Sequence, residues 1–205
     1  PLDYGANVVT YSTTKFLTGN GTSLGGALVD GGNFDWGKDN RYPALTTPNG
    51  AYNGLNFWEA FGKMALFIHA KGIGQRDVGA SQQPMNAFLT LCGIETLHVR
   101  MQRHVENAMT VAQWLEKHPK IAKVSYASLP SSPYYKLAQK YTPKGAGAVF
   151  TFDVKGDLAA AQRFIEALEL FHFVANIGDT RSLIIHPAST THSQLSPEQR
   201  AGNGI

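Results

Sequence analysis

A regular apolar stripe between residues 94 and 115 constrains the fold more than any other feature of the sequence. Its members recur at steps of three or four residues: Ile94, Leu97, Met101, Val105, Ala108, Ala112 and Leu115. This spacing places them on one face of an α-helix, so it predicts a long amphipathic helix with one side against a core. The helix should end before Pro119, because the residue before a proline avoids helical geometry. His98 falls off the stripe, and both His98 and His104 are expected on the solvated face.

The segments on either side of this helix predict a mixed α/β protein. Downstream, residues 122–129 and 181–188 resemble short strands, residues 147–154 alternate apolar and polar side chains, and Asp157 suits the N-cap of a second amphipathic helix. Upstream, strands are predicted at 6–11 and 24–29 as the end of a larger sheet, helices at 58–71 and from Pro84, and an ordered aromatic loop at 40–57. A domain boundary is expected between residues 72 and 92.

Composition argues against a nucleic-acid-binding, disulfide-bonded or membrane protein. The 205 residues are 43% apolar, which is enough for a globular core, and 18 basic against 15 acidic side chains give a formal charge of only +3. No basic block suits a phosphate backbone, so nucleic acid is not an expected partner. The single cysteine, Cys92, excludes an internal disulfide and is expected to be a small buried residue in a reducing compartment. Without a long apolar run or a signal-peptide layout, we expect no membrane association and a cytoplasmic location.

The segment "YSTTKFLTGNGTSLGG", Tyr11 to Gly26, places a lysine where an apolar strand ends and a glycine-rich turn begins. Pyridoxal phosphate needs an amine that can form a carbon–nitrogen bond with its aldehyde, and a lysine held away from bulk water supplies one more readily. It also needs donors for a dianionic phosphate, which the hydroxyls of Ser12 and Thr14 could provide from one side of the chain. The glycines would allow close backbone approach. Lys15 with Ser12 and Thr14 is therefore a coherent cofactor site, although Ser/Thr beside Lys is also common in ordinary loops.

Other motifs compete with this hypothesis. "GTSLG", Gly21 to Gly25, matches the nucleophile elbow of serine hydrolases, with Ser23 followed along the chain by Asp179 and then His186 or His192. An elbow needs a strand before its serine and a helix after it, whereas the sequence after Ser23 reads as a strand. The same glycines complete neither a phosphate-binding loop nor a dinucleotide fingerprint. The two histidines lack a third ligand at a suitable spacing, so no metal site is expected.

The segment from Tyr11 resembles the Ser-x-Thr-Lys segment of the pyridoxal-phosphate enzymes of cysteine and methionine metabolism, the trans-sulfuration enzymes. The resemblance continues through "YPALTTP", "NAFLTLCGIETLHVRMQRHVENAMTVAQWLEKHP", "GAGAVFTFDVKG" and "VANIGDTRSLIIHPASTTHSQLSPEQRAGNGI", and within the family it is greatest to the O-acetylhomoserine sulfhydrylases. It implies the α/β aminotransferase-like fold, fold type I. Residues 1–80 would end the large cofactor domain, and residues 81–205 would form the smaller C-terminal α/β domain, which would be incomplete.

The resemblance also implies roles for particular residues. Lys15 would bond covalently to the cofactor and move protons between the substrate's α and β carbons, and Ser12 and Thr14 would bind the phosphate. Asn176 would lie beside the substrate carboxylate, in a pocket supported by the motif that contains Thr191. The implied reaction is γ-replacement, in which O-acetyl-L-homoserine and sulfide give L-homocysteine and acetate. A γ-lyase, a cystathionine γ-synthase or lyase, a serine esterase using Ser23 and a non-catalytic fragment remain open.

The chain also departs from the family pattern. Family members are about twice as long, and the half before the lysine supplies the acid that pairs with the pyridine nitrogen, a stacking aromatic ring and further phosphate ligands. The family's carboxylate-binding arginine would follow beyond Ile205. We therefore expect the 205 residues to be part of a larger polypeptide and to have little activity alone. The family builds its sites across dimers within tetramers, so a homo-oligomer is expected, with the aromatic loop at 42–57 as part of the contact.

Overall fold

The computed structural model describes residues 1–203 and 205, which divide into two compact units. The first unit consists of Pro1–Thr13 and Ser23–Leu89, and the second of Thr14–Thr22 and Thr90–Ile205. Each unit is thus built from two separate stretches of chain. The predicted domain boundary near residue 80 concerns the domains of the larger protein and stays a prediction.

The first unit contains a pair of antiparallel strands, preceded by a short 3-10 helix at Leu2–Tyr4. Strand β1, Val8–Ser12, pairs antiparallel with strand β2, Gly26–Asp30, in a register that places Val8 opposite Asp30 and Ser12 opposite Gly26. The amide of Thr13 donates to the carbonyl of Gly25 at 3.0 Å, which extends the pairing by one residue. Both strands predicted from the sequence are confirmed, each beginning two residues later than expected.

Short helices complete the first unit. They are α1, Pro43–Thr46; α2, Phe57–Phe61; and α3, Ala65–His69; a π-helical stretch, Ala70–Asp77, follows α3. The helix predicted at 58–71 is therefore interrupted after α2, where Gly62 has a φ of +52°. Leu45, Phe57 and Ala65 form a buried cluster against the rings of Trp36, Tyr42, Tyr52 and Trp58. The segment at 40–57, predicted as an ordered loop, instead contains α1 and a short 3-10 helix, Gly50–Tyr52, and its rings belong to this cluster.

Two consecutive helices follow, and the second of them lies entirely in the second unit. Helix α4, Pro84–Glu95, crosses the boundary between the units, and α5, Leu97–Glu116, follows after a break at Thr96. The single helix predicted from Ile94 is therefore wrong at its start, because Ile94 belongs to α4. The rest of the stripe is confirmed: the later residues of α5 pack into the buried cluster of Ala108, Ala112, Tyr126 and Leu129. The helix ends before Pro119, as predicted.

The second unit continues as alternating strands and helices. Its elements are β3, Ile121–Ser125; α6, Tyr135–Tyr141; β4, Thr151–Val154; α7, Leu158–Glu166; β5, His172–Phe173; β6, Leu183–Ile184; and α8, Pro197–Gly202. Strand β3 pairs antiparallel with β4, and β5 pairs parallel with β6. Asp157 caps α7 as predicted, accepting the amide of Ala160 at 2.8 Å. Within residues 1–203 and 205, no helix has the length and apolarity needed to cross a bilayer.

Candidate active site

Lys15 lies in a helical turn that begins directly after β1. Thr13–Leu17 form a π-helical turn, within which Lys15 has non-helical dihedral angles of φ −90° and ψ −128°. The carbonyl of Lys15 accepts the amide of Gly19 at 2.8 Å, and Gly19 ends the turn with a φ of +85°. A glycine in this left-handed conformation is a common stop for a helical turn. The strand end and the glycine turn predicted around Lys15 are both present, with a turn of helix between them.

The amine of Lys15 meets a residue 161 positions away. Nζ donates a hydrogen bond to Oδ1 of Asn176, in the irregular segment between β5 and β6. Gly178, two residues later, has a φ of +76°, and a Cβ built there would lie 2.4 Å from the amide nitrogen of Phe16 and 3.1 Å from the Cα of Lys15. A real Cβ does not come so close to backbone, so only glycine allows this approach. The structure thus joins two of the predicted site residues, Lys15 and Asn176.

The two predicted phosphate ligands differ in their setting. Ser12 is the last residue of β1 and is exposed, whereas Thr14 is half-buried in the turn that carries Lys15. The sequence pattern suggested that the two hydroxyls lie on one side of a single strand. Because β1 ends at Ser12 and Thr14 lies in the helical turn, they do not. Ser12 belongs to the first compact unit and Thr14 to the second. Their roles stay a prediction.

A cavity of about 1310 Å³ opens within the second unit. Its wall includes Phe16 and Asn176 from the lysine site, together with His104, Asp179, His186 and His192. Thr191 precedes His192 in a turn, where its hydroxyl lies 2.9 Å from Nδ1 of that histidine. The motif predicted to support the substrate pocket therefore reaches the same cavity as Asn176.

His104 is the main correction among the histidines. It was expected on the solvated face of α5, but it is half-buried, with its ring edge-on to Phe16 at 5.9 Å between centroids. Its Nε2 is buried without a hydrogen-bond partner in the described part of the chain. Burial lowers the pKa of His104, the nearby cation of Arg100 lowers it further, and Asp179 opposes both. The imidazole is therefore favoured in its neutral form.

Asp179 is a buried carboxylate that faces the glycine turn after Lys15. Oδ1 accepts the amide of Arg181 at 2.9 Å, and Nε of the same arginine lies 3.7 Å away. A Cβ at Gly21 would come within 2.7 Å of Oδ2, and the φ of +69° at this position also favours glycine. Nη2 of Arg181 lies 3.5 Å from the carbonyl of Asn20, at the outer limit for a hydrogen bond. These contacts stabilise the second half of the turn.

Ser23 does not have the setting of a nucleophile. It is buried, and its hydroxyl donates to the carbonyl of Asn86 at 3.2 Å. The chain continues into strand β2, where a nucleophile elbow would require a helix. The sequence matches the elbow motif, but the local structure does not.

Two further expectations concerned cysteine and metal. Cys92 is exposed, so the prediction that it is a buried small residue is wrong for this structure. In the described residues, no group of three or more His, Cys, Asp or Glu side chains is placed to hold a metal ion.

The residues around Lys15 fit a phosphorylated aldehyde cofactor. A primary amine is held by an amide oxygen, hydroxyl-bearing residues precede it in the chain, and Gly178 allows close backbone approach to Lys15. Sequence reasoning named Lys15 and Asn176, which the structure brings into contact, but did not single out Arg100, whose guanidinium binds the carbonyls of the turn. A single arginine on the polar side of a helix gives no periodic signal that could reveal such a contact.

Comparisons with known proteins agree on one family. The family described as Cys/Met metabolism PLP-dependent enzymes matches residues 1–205. An O-acetyl-L-homoserine sulfhydrylase of Thermus thermophilus is 50% identical over the whole chain, and a homocysteine synthase of Schizosaccharomyces pombe is 45% identical. The chain spans about half the length of these relatives, 48% in each case.

Solved structures agree with the sequence relatives. One solved structure is that of a Campylobacter jejuni protein assigned as an O-acetylhomoserine (thiol)-lyase, and it contains a pyridoxyl-lysine-monophosphate. Its sequence is 41% identical to this chain, and the two structures superpose with a TM-score of 0.93. A cystathionine γ-synthase from Xanthomonas oryzae is 32% identical with a TM-score of 0.74. This chain is covered completely in both, over 49% and 44% of those chains. The predicted fold type I is confirmed, and the chain belongs to the pyridoxal-phosphate-dependent enzymes of cysteine and methionine metabolism.

Proposed function

We propose that the full-length protein containing this chain is a pyridoxal-phosphate-dependent sulfhydrylase that converts O-acetyl-L-homoserine and sulfide into L-homocysteine and acetate. The observation that carries the proposal is the hydrogen bond from the amine of Lys15 to Asn176, a residue that lines the cavity. Relatives at 45–50% identity that are named O-acetyl-L-homoserine sulfhydrylase or homocysteine synthase support this choice of reaction.

The site residues have distinct proposed roles. Nζ of Lys15 would hold the cofactor by condensing with its aldehyde, with loss of water, and as a free amine it would move protons at the substrate's α and β carbons. Ser12 and Thr14 donate to the cofactor phosphate. Asn176 orients the amine and lies beside the substrate carboxylate, and Thr191 supports that pocket through His192. The bound cofactor supplies an electron sink for the charge left when the α proton is lost.

Cystathionine γ-synthase is the second candidate, since a solved enzyme of that kind shares the fold at 32% identity. The two reactions differ in the nucleophile that adds at the γ carbon, which is sulfide in one and the thiol of cysteine in the other. A γ-lyase would need no added nucleophile. The higher identity to the sulfhydrylases favours sulfide.

The test is a product assay on the full-length protein with the cofactor bound. O-acetyl-L-homoserine is supplied with sulfide, with cysteine or with neither, and homocysteine, cystathionine and 2-oxobutanoate are measured. We expect homocysteine with sulfide as the main product. Cystathionine as the main product would favour the synthase, and equal 2-oxobutanoate in all three reactions would favour the lyase.

Two variants separate this proposal from a serine esterase. Lys15→Ala should abolish homocysteine formation, whereas Ser23→Ala should keep activity because the Ser23 hydroxyl donates to a backbone carbonyl. Release of acetate that survives Lys15→Ala and is lost in Ser23→Ala would contradict the proposal. If the wild-type protein neither binds the cofactor nor turns over substrate, the protein is non-catalytic.

The wider setting of the enzyme is also proposed. A homo-oligomer built from dimers into a tetramer, with residues 42–57 in the contact, would follow the family pattern, and a single cysteine suits a cytoplasmic location. Residues 1–80 would end the cofactor domain, and residues 81–205 would belong to the C-terminal domain. The 205 residues alone should show little activity, because the partner of the pyridine nitrogen would lie in the other half of the enzyme.

A further inference from the structure

The turn that carries Lys15 is too short to satisfy its own carbonyl groups. Its backbone bond from Gly19 to Lys15 closes a single turn, and Gly19 then stops it with a φ of +85°. The last carbonyls of a helical turn have no partner further along the helix, and they need a donor from elsewhere. The groups in question are the carbonyls of Phe16 and Leu17, the two residues directly after Lys15.

Arg100 supplies the donors. Nη1 donates to the carbonyl of Phe16 at 3.0 Å, and Nη2 reaches the carbonyl of Leu17 at 3.4 Å. The guanidinium lies directly against Gly19, where an added Cβ would fall 2.1 Å from Nη1. The planar fork of arginine can hold two neighbouring acceptors at once, which the single ammonium of a lysine does less well.

The guanidinium is itself fixed by residues at the end of α4 and at the break before α5. Nη2 donates to the carbonyl of Gly93 at 2.6 Å, and Nε donates to Oγ1 of Thr96 at 3.1 Å. Gly93 also allows close packing, since a Cβ there would lie 2.3 Å from the carbonyl oxygen of Thr18. In the described residues, Arg100 makes no ion pair with a carboxylate. Backbone carbonyls therefore hold this partly buried cation, and it joins two parts of the chain.

The two ends of Lys15 are thus held separately. Asn176 binds its Nζ, Gly178 packs against its Cα, and the turn that follows it is fixed through Phe16 and Leu17. We propose that Arg100 is a positioning residue for Lys15, which holds the backbone of the turn so that the amine stays aligned for its reactions. This inference rests on the proposed function, because it assigns Arg100 a part in that same site.

The test compares three variants of the full-length protein. Arg100→Met removes the donors and keeps much of the side-chain volume, and Arg100→Lys keeps the charge without the fork. Arg103→Met is the matched control, because Arg103 is on the same helix, is exposed and, among the residues that the structure describes, forms an ion pair only with Glu106 at 3.4 Å. Each protein is studied by hydrogen exchange without cofactor and by steady-state kinetics with it.

We expect the amide of Gly19 to exchange on the order of tenfold or more faster in Arg100→Met, since a hydrogen bond to a charged group is lost. A misplaced amine should also lower kcat by up to about 100-fold with little change in KM. Arg100→Lys should lie between wild type and Arg100→Met in both measurements. Arg103→Met should resemble wild type in both.

Specific results would overturn the proposal. One such result is that the amides of residues 16–19 in Arg100→Met exchange at the wild-type rate. Another is that these amides exchange faster while kcat stays at the wild-type value. A lower melting temperature with unchanged local exchange and kcat would show a merely structural role. If Arg100→Met does not fold, the same comparison is made with Arg100→Lys, and wild-type behaviour of that variant refutes the proposal. Failure of the wild type to bond the cofactor at Lys15 would instead refute the proposed function, and exchange still tests whether Arg100 holds the turn.

Discussion

Gly178→Ala should destabilise the second unit by far more than a methyl group on a loop normally does. The residue has a φ of +76°, and its new Cβ would lie 2.4 Å from the amide nitrogen of Phe16 and 2.7 Å from the carbonyl carbon of Lys15. The left-handed conformation costs a non-glycine residue about 1–2 kcal/mol. Forcing apart two packed backbone segments costs about 1–3 kcal/mol more, so the expected loss is about 2–5 kcal/mol.

Gly147→Ala separates these two contributions. Gly147 is in the same unit and has nearly the same φ, +81°, but a Cβ there would have no neighbour within 4 Å in the described structure. This control should lose only the conformational part, about 1–2 kcal/mol. The difference between the two variants is therefore the cost of pushing the chain away from Lys15.

Urea unfolding of the full-length protein, monitored by fluorescence and by hydrogen exchange at residues 15–19, measures both effects. We expect Gly178→Ala to unfold at a clearly lower urea concentration than Gly147→Ala and to exchange faster around Lys15. Equal losses in the two variants, with unchanged exchange at residues 15–19, would refute the close packing of Gly178 on the lysine turn.

Two further predictions concern a buried histidine and a helix cap. Burial and Arg100 lower the pKa of His104 below its ordinary value of 6.5, so the unfolded state binds a proton that the folded state resists. Stability should therefore fall as the pH drops below about 6.5, and His104→Gln should make the melting temperature less dependent on pH between about 5 and 7. Asp157→Ala removes the acceptor of the Ala160 amide and should cost about 1 kcal/mol in urea unfolding. The first prediction is contradicted if the melting temperature of His104→Gln depends on pH as that of the wild type does. The second is contradicted if Asp157→Ala has the wild-type urea midpoint.

Local patterns in the sequence predicted much of the secondary structure. Strands β1 and β2, the stripe of α5 and the cap at Asp157 all depend on neighbours within a few residues, which a sequence displays directly. The break at Thr96 was missed because the apolar spacing continues across it. Periodicity cannot detect a one-residue break between two helices when the apolar spacing continues across it.

The candidate site could be predicted only in part. Lys15 was found from its neighbours, and Asn176 only through the family resemblance, because 161 residues separate the two. His104 was placed on the solvated face although it lies four residues before Ala108, a spacing that puts both residues on one side of the helix. The sequence could not show that Phe16 covers it. The contacts of Arg100 and Gly178 depend on how distant segments pack, and a single sequence contains no measure of that.

The most direct test of the central claim is to find where the cofactor is attached. The full-length protein is saturated with pyridoxal phosphate, reduced with borohydride, digested and examined by mass spectrometry, with Lys15→Ala treated in parallel. The account predicts a phosphopyridoxyl group on Lys15 and loss of the visible absorption band upon reduction, with no specific label in the variant. A label on another lysine, or wild-type labelling that survives Lys15→Ala, would contradict it.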